Sequence, residues 1–480
     1  MKTFYWYDYE TFGLSPKIHR IAQFAGIRTD ENLNIKDELE LFCKPTYDCL
    51  PAPEACKVTG ITPQDCEEKG LIEHEFISKI NQELSIPETC IVGYNSIAFD
   101  DEFTRHTLFR NFLDPYAWHV QNGNTRWDIL NVARFCYALK EENSLEWVIE
   151  KNRPIFKLDK LAPANNIEHA NAHDAMADVR ATIGIAKIIK QKQPKFFEYA
   201  LSLNEKKGVE KLVHFLHPML LTTSSFGYKC SFTRMVTAIC EHPKYSGRAI
   251  VFNLEQDPKL ILDTDIDILT KNLFSKKADL DKGVERPGLS ELVYNKSPMF
   301  VCSPKPDRFK LPPVLIEKFQ IDMEKCMKHL FYIEKNKDKI EKRIELIYSK
   351  NSEMKPNIDA DQALYDNFIS NKDRAICNKI QKLSINKIST YKPEFKDKKL
   401  SELFLNFKAR NYPESLTEDE NKKWNEIIES RLKGLNGYLS IESFKNSLIK
   451  LLENSLELSE EEQKKTNILC QELQNYAELI

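Results

Sequence analysis

The sequence predicts about three domains, in which an α/β domain is followed by a β-rich domain and then by an all-helical domain. The length of 480 residues exceeds what one hydrophobic core usually supports, at roughly 150 residues per domain. Strand-like and helix-like segments alternate over residues 1–190, and short strand-like segments stand out in residues 194–348. Residues 352–480 carry apolar side chains at helical spacing.

The first domain shows the pattern of an α/β fold. Aromatic and apolar residues dominate two segments that are typical of buried strands, FYWYDYETFG and CIVGYNSIAF. The segment NAHDAMADVRATIGIAKIIKQ is typical of a helix, which Pro194 should end. We therefore expect strands and helices to alternate in this domain.

The middle and last domains differ in their pattern. Four segments of the middle domain favour strands: LLTTSSFGYKCSFTRMVTAIC, RAIVFNL, KLILDTDIDIL and PMFVC. A charged helical segment follows at about residues 314–349. The last domain has apolar residues at helical spacing in ADQALYDNFISNKDRAICNKIQKL and SELFLNFKARN, so it should be all-helical.

The composition excludes several classes of protein. With 42% hydrophobic and 29% charged residues, the chain lacks the ~18 uninterrupted apolar residues of a membrane span. Acidic residues stand where a signal peptide would be apolar, so we expect a cytoplasmic protein. The twelve cysteines form no C-x-x-C pair, which favours reduced thiols. Because the net charge is −3, any binding of nucleic acid requires a local basic surface.

Four carboxylates stand at positions that suit a metal site. Asp8 and Glu10 are two residues apart in a predicted strand, so their side chains should share one face. Asp100 begins a predicted helix after a turn at Asn95, and Asp178 lies on a later helix. Each feature alone is more often structural, as a solvated strand end, an ion pair or a helix cap. Their combination in this order is improbable by chance.

A histidine precedes the last of these acids. His173 lies five residues before Asp178, and five residues correspond to ~500° of helical rotation. The two residues would face different directions on one helix, so we expect His173 in the preceding loop, able to lean over Asp178. A histidine at such a position is otherwise a surface or capping residue.

Together these motifs resemble the DEDD exonuclease superfamily, in the subclass that carries a histidine. Within it, DYETFG, GYNSIAFDDE, RNFLDPYAW and NAHDAMADV resemble the exonuclease I family. The resemblance is dense over the first domain, thinner in the middle domain, and recovers at ALYDNFISNKDRA and FKARNYP. It implies a ribonuclease H-like exonuclease domain, a β-rich SH3-like domain and an all-α C-terminal domain.

The resemblance also implies a chemistry. Asp8, Glu10, Asp100 and Asp178 would hold two Mg²⁺ ions, for which Mn²⁺ could substitute, since hard oxygen ligands select such cations. His173 would be the general base for the attacking water. The reaction would be 3′→5′ hydrolysis of single-stranded DNA to 5′-mononucleotides, in DNA repair and recombination.

Single-stranded DNA needs a track of positive charge and flat rings. The candidates are Arg105, Tyr116, Arg134 and Lys157, together with Glu10 at the terminal nucleotide. Lys157 matches a position at which the family carries a basic residue. The alternatives for these side chains are a surface cation or a core aromatic ring.

Resemblance further implies a partner, the acidic C-terminal tail of the single-stranded DNA-binding protein, and we expect a monomer. Two other functions remain open: an enzyme that trims RNA ends, and a catalytically inactive binding platform. RNA-trimming relatives are much shorter single domains, which disfavours the first. The presence of all four acids and the histidine disfavours the second.

Overall fold

The elements of the fold come from a computed structural model that describes residues 2–169, 174–276, 279–280, 282–284, 286–303, 305, 309–350 and 359–480. The strands are β1 (Thr3–Thr11), β2 (Ile21–Thr29), β3 (Ile35–Phe42), β4 (Thr89–Gly93), β5 (Thr125–Asp128), β6 (Val148–Glu150), β7 (Arg153–Ile155), β8 (Pro218–Thr222), β9 (Thr233–Glu241), β10 (Arg248–Asn253), β11 (Leu289–Val293) and β12 (Met299–Cys302).

The helices are α1 (Pro53–Thr59), α2 (Pro63–Lys69), α3 (Glu73–Leu84), α4 (Asp100–Arg110), α5 (Ala117–Val120), α6 (Ile129–Lys140), α7 (Leu158–Ala164), α8 (Ala175–Lys192), α9 (Pro194–Ser202), α10 (Lys206–Leu212), α11 (Lys259–Asp263), α12 (Ile266–Phe274), α13 (Pro313–Phe319), α14 (Met323–Lys335), α15 (Lys337–Lys350), α16 (Asn371–Ile380), α17 (Ile385–Ile388), α18 (Lys398–Asn411), α19 (Glu418–Leu432), α20 (Ile441–Ser455) and α21 (Glu460–Ala477). None of them, within the described residues, is long and apolar enough to cross a membrane.

One compact unit comprises Met1–Asn124, His169–Ala181 and Lys355–Ile480. Its sheet has the order β3-β2-β1-β4, in which β1 pairs antiparallel with β2 and parallel with β4. The tyrosines of β1 face a core that includes Phe24 and Phe103. Side chains alternate along a strand, so the even-numbered acids of β1 take the opposite face from these tyrosines.

The C-terminal part of this unit is built from helices α16–α21 and short 3₁₀ turns. Aromatic rings fill a core that these helices share with the N-terminal part of the unit, where Phe112 lies edge-on to Phe407 of α18, at 5.5 Å between centroids. The prediction of an all-helical last domain is confirmed for the described residues.

The other compact unit comprises Thr125–Glu168 and Thr182–Met354. Its larger sheet has the order β11-β10-β9-β8-β12, and its strand pairs are antiparallel. Helices α13–α15 account for the predicted charged helical segment, and apolar residues of α14 and α15 pack in the same core as those of the sheet.

One predicted strand of this unit is wrong. The segment KLILDTDIDIL forms helices α11 and α12. The side chain of Asp265 caps α12 by accepting hydrogen bonds from two backbone N–H groups of its first turn. Leu269 and Leu273, one helical turn apart, then reach the core together. Capping and a spacing of four therefore outweigh the strand propensity of the isoleucines.

A candidate metal centre

Two carboxylates leave β1 on one face, as predicted. Asp8 pairs with Ala25 and Glu10 with Gln23 across the β1–β2 ladder, and the register shifts between Glu10 and Thr11. Such an irregularity ends regular pairing next to the second carboxylate. Glu10 is 8% exposed, and Asp8 is partly buried.

Asp100 is fixed against the same strand by three contacts between α4 and β1. The backbone N–H of Tyr9 donates to Asp100 Oδ1 at 3.3 Å. The Tyr7 hydroxyl donates to Asp101 Oδ1 at 2.6 Å, and the Tyr9 hydroxyl lies 3.0 Å from Thr104 Oγ1. The first turn of α4 is thereby held beside the strand that carries Asp8 and Glu10.

Asp178 approaches from α8, whose start is held by Gln23. The Gln23 amide donates to Asp174 Oδ1 at 3.1 Å and accepts from the backbone N–H of Ala175 at 3.4 Å. Because Gln23 is also the cross-strand partner of Glu10, one side chain relates the helix to the strand. Asp8, Glu10 and Asp178 each offer an oxygen, and these oxygens lie within 4.8 Å of one another.

The acids of this centre repel one another. Burial raises the pKa of Asp8 well above its usual value, and the charges of Asp100, Asp178 and Glu10 raise it further. Burial, then Asp178 and Asp100, raise the pKa of Glu10 to about 8. A cation beside these carboxylates would favour their ionised form, since an opposite charge lowers the pKa of a carboxyl.

The donor set fits a hard divalent cation. Carboxylate oxygens are the ligands that Mg²⁺ and Mn²⁺ prefer, and the mutual repulsion of these acids would be relieved by such an ion. The structure thus brings together Asp8, Glu10 and Asp178 as predicted, with Asp100 electrostatically linked to the first two.

The predicted general base, His173, lies outside the described residues. A second histidine, His169, contacts the centre: its Nε2 lies 2.5 Å from Asp178 Oδ1, and its side chain is 1% exposed. Sequence reasoning missed His169, although it stands nine residues before Asp178 in EHANAHDAMAD. The sequence shows both histidines before Asp178, but only His173, the nearer one, was considered as a site residue.

Two predicted DNA contacts belong to the same compact unit as the acids. Arg105 is 7% exposed and pairs with Glu102 at 2.6 Å, and its guanidinium lies 5.6 Å from the centroid of the Tyr116 ring. The Tyr116 ring is 36% exposed. The Tyr116 ring is therefore accessible to a ligand, and the Arg105 guanidinium beside it is held in place by its ion pair with Glu102.

The other two predicted contacts, Arg134 and Lys157, belong to the second compact unit. Arg134 lies on α6, 6.0 Å above the ring centroid of Phe156. Lys157 is exposed at the residue that precedes α7. Both remain predictions as DNA contacts.

Family models match most of the chain. Residues 5–186 match the exonuclease model, residues 204–350 the exonuclease I SH3-like domain, and residues 358–480 the exonuclease I C-terminal domain.

Several bacterial proteins are similar to this chain over nearly its full length. An exodeoxyribonuclease I of Haemophilus influenzae is 39% identical over 463 residues, which cover 95% of each chain. A zinc-bound complex of Escherichia coli exonuclease I with single-stranded DNA is 34% identical, with a TM-score of 0.88 over 100% of this chain and 99% of that one. An SSB/exonuclease I structure with an inhibitor is 31% identical, with a TM-score of 0.87 over 100% of both chains.

Proposed function

The chain belongs to the exonuclease I family, and on that premise we propose that it hydrolyses single-stranded DNA from the 3′ end and releases 5′-mononucleotides. The observation that carries this function is the convergence of Asp8, Glu10 and Asp178 in a chain that matches the family over 95% of its length. We place the reaction in DNA repair and recombination, in the cytoplasm.

The acids act as ligands for divalent metal, on which the family depends. We assign two Mg²⁺ ions to Asp8, Glu10, Asp100 and Asp178, with Mn²⁺ as a substitute. When bound, such a pair of ions supplies a reactive water and stabilises the leaving 3′ oxygen. The protein would hold these carboxylates in place through the elements that carry them. The Tyr7–Asp101 hydrogen bond joins β1 to α4, and the Gln23–Asp174 hydrogen bond joins β2 to the start of α8.

His173 is assigned as the residue that takes a proton from the attacking water, because a neutral imidazole is a good proton acceptor near neutral pH. His169 is assigned a different part, in which its ring nitrogen orients the Asp178 carboxylate. Metal-binding carboxylates are commonly held by such hydrogen bonds.

The single strand is expected to pass Arg105 and Tyr116, and also Arg134 and Lys157, with Glu10 close to its last nucleotide. Cations meet its phosphates and rings stack on its bases. Solved relatives that contain single-stranded DNA or SSB support both as partners here. We propose a monomer that binds the C-terminal tail of the single-stranded DNA-binding protein.

The direct test uses single-stranded DNA labelled at one end and incubated with Mg²⁺. A 5′ label should appear in a ladder that shortens from the 3′ end, and a 3′ label should be released at once as a mononucleotide. Chelation of the metal is the control and should stop both. Early release of the 5′ label, or internal cuts, would contradict the proposal, and equal cleavage of an RNA of the same sequence would favour an RNA-trimming enzyme.

Mg²⁺ affinity should rise with pH between about 6 and about 8. In the metal-free protein the pKa of Glu10 is raised to about 8, chiefly by burial, so its carboxyl holds a proton that the cation must displace. Fewer protons compete as the pH rises. For the same reason the metal-free fold should lose stability as the pH rises from 4.5, the ordinary pKa of Glu, towards about 8.

Thermal unfolding with and without Mg²⁺ across this interval measures both effects. The stabilisation by Mg²⁺ should grow with pH, since a tighter ligand raises the unfolding temperature more. A stabilisation that is the same at pH 6 and pH 8 would show that no proton competes with the cation.

A further inference from the structure

A group of buried charges that includes none of the metal-centre acids lies in the same compact unit. We call it the charge cluster; its members are Arg20, Arg110, Arg410, Arg431, Asp48, Glu73, Asp359 and Asp361. Each is at most 9% exposed. Four are in the N-terminal part of the chain and four in the C-terminal helical part, so the cluster joins sequence segments that are far apart.

Asp361 is shared by three arginines. Its Oδ2 accepts from Arg410 at 2.7 Å, from Arg431 at 2.9 Å and from Arg20 at 3.3 Å. Asp48 is approached by the same three, at 3.4, 2.6 and 2.7 Å respectively. The pKa of Asp361 lies well below its usual range because these guanidinium groups outweigh the cost of burial.

Stability alone is a weak explanation for such a cluster. Removing charges from water is costly, and well-packed apolar residues of similar volume often stabilise a fold as well or better. What a cluster of shared, charge-assisted hydrogen bonds adds is a defined geometry. The segments that it holds should therefore be segments whose position matters.

The first such segment is the loop between β1 and β2, which begins two residues after Glu10. Arg20 donates to the carbonyl of Ile18 at 2.8 Å, and Arg110 donates to that of Pro16 at 3.3 Å. A Cβ at Gly13 would lie 2.4 Å from the ring of His19, so the loop is closely packed. Two arginines of the charge cluster thus hold the loop in place by hydrogen bonds to its backbone carbonyl groups.

This loop is continuous with the strands of the metal centre. The backbone N–H of Phe12 donates to the carbonyl of Arg20 at 2.9 Å, which closes the loop two residues beyond Glu10. Three residues after Arg20 stands Gln23, which pairs with Glu10 and holds the start of α8.

The second segment is α4, which begins at Asp100. The 3₁₀ turn Ala360–Tyr365 carries Asp361 near its start and Tyr365 at its end. The Tyr365 hydroxyl donates to Glu102 Oε2 at 2.5 Å, and the rings of Tyr365 and His106 meet edge-on at 5.8 Å. The same turn thus contacts α4 at the first and second turns of that helix.

We propose that the 3₁₀ turn Ala360–Tyr365 and the charge cluster position the metal ligands, with Asp361 and Tyr365 as positioning residues for Glu10 and Asp100. The inference rests on the proposed function, since it concerns the same metal centre. It gives the C-terminal helical part a role in assembling the centre, in addition to any contact with the DNA strand.

The test compares three variants of the full chain by Mn²⁺ binding without DNA, measured from the electron paramagnetic resonance signal of free Mn²⁺. Asp361→Asn removes the charge that three arginines share, and Tyr365→Phe removes only the hydroxyl that reaches Glu102. Lys408→Met is the matched control, because Lys408 is a buried cation on α18 whose partner, Glu420 at 2.9 Å, lies on α19 and belongs neither to the charge cluster nor to the loop or α4.

Asp361→Asn should weaken Mn²⁺ binding about 10-fold, the lower end of the range for loss of a supporting hydrogen bond around a metal site. Tyr365→Phe should weaken it less, and Lys408→Met should leave it within about twofold while lowering the unfolding temperature. The concentration of Mg²⁺ that gives half-maximal cleavage should rise in the same order.

Measurements are made well below the unfolding temperature of each variant. Unchanged Mn²⁺ affinity in folded Asp361→Asn and Tyr365→Phe would overturn the inference, as would an equal loss in Lys408→Met. If Asp361→Asn does not fold, Tyr365→Phe alone decides. A wild-type protein that binds Mn²⁺ but does not cleave DNA would contradict the proposed function, whereas the Mn²⁺ affinities of the variants would still decide the positioning role.

Discussion

Asp178→Ala and Asp8→Ala are each expected to leave no more than about one per cent of the cleavage rate. Mutating a residue that merely supports a metal ligand commonly lowers activity about 10–100-fold, and losing the ligand itself should lower it at least as much. These two side chains and Glu10 offer oxygens within 4.8 Å of one another, so each removal opens the site that a cation would fill. Single-turnover cleavage of a 5′-labelled strand measures the effect.

Binding of the single strand should be largely kept in these variants. Most affinity for a strand comes from phosphate and stacking contacts along its length, and under the proposed function only the last nucleotide would lie at the metal centre. The control is Glu54→Gln, which removes an exposed acid on α1 and should cleave at the wild-type rate. More than a few per cent of activity in either alanine variant would refute the assignment of metal ligands.

His173→Ala should lower kcat by about 10²–10⁴, the usual cost of losing a general base, with less effect on strand binding. The wild-type rate should rise with pH as the imidazole loses its proton, since only the neutral ring accepts a proton from water. In His173→Ala this rise should flatten. A pH profile of single-turnover cleavage, measured at saturating Mg²⁺, separates it from the effect of pH on metal binding.

His169→Ala is the informative comparison, because His169 contacts Asp178 directly. If His169 orients that carboxylate, its loss should raise the Mg²⁺ requirement and leave the pH-dependent rise in rate at saturating Mg²⁺. The reverse pattern, with a normal profile in His173→Ala and a flat one in His169→Ala, would transfer the general-base role to His169.

The sequence by itself determined the motifs and the elements that carry them. Asp8 and Glu10 could be placed on one face because alternation along a strand is a local property. The turn at Asn95, where φ is 67°, and the start of α4 at Asp100 were likewise local signals. The same reasoning failed at KLILDTDIDIL, where the cap by Asp265 and the packing of the helix outweighed strand propensity.

Only the tertiary structure decided which distant residues meet. Gln23 lies at the metal centre because β1 pairs with β2, and His169 lies there because α8 packs against these strands. No local sequence pattern encodes either contact. The charge cluster was equally invisible, because Asp48 and Arg431 are 383 residues apart and read as ordinary surface charges in the sequence. Burial turns such charges into partners, and burial is a property of the whole fold.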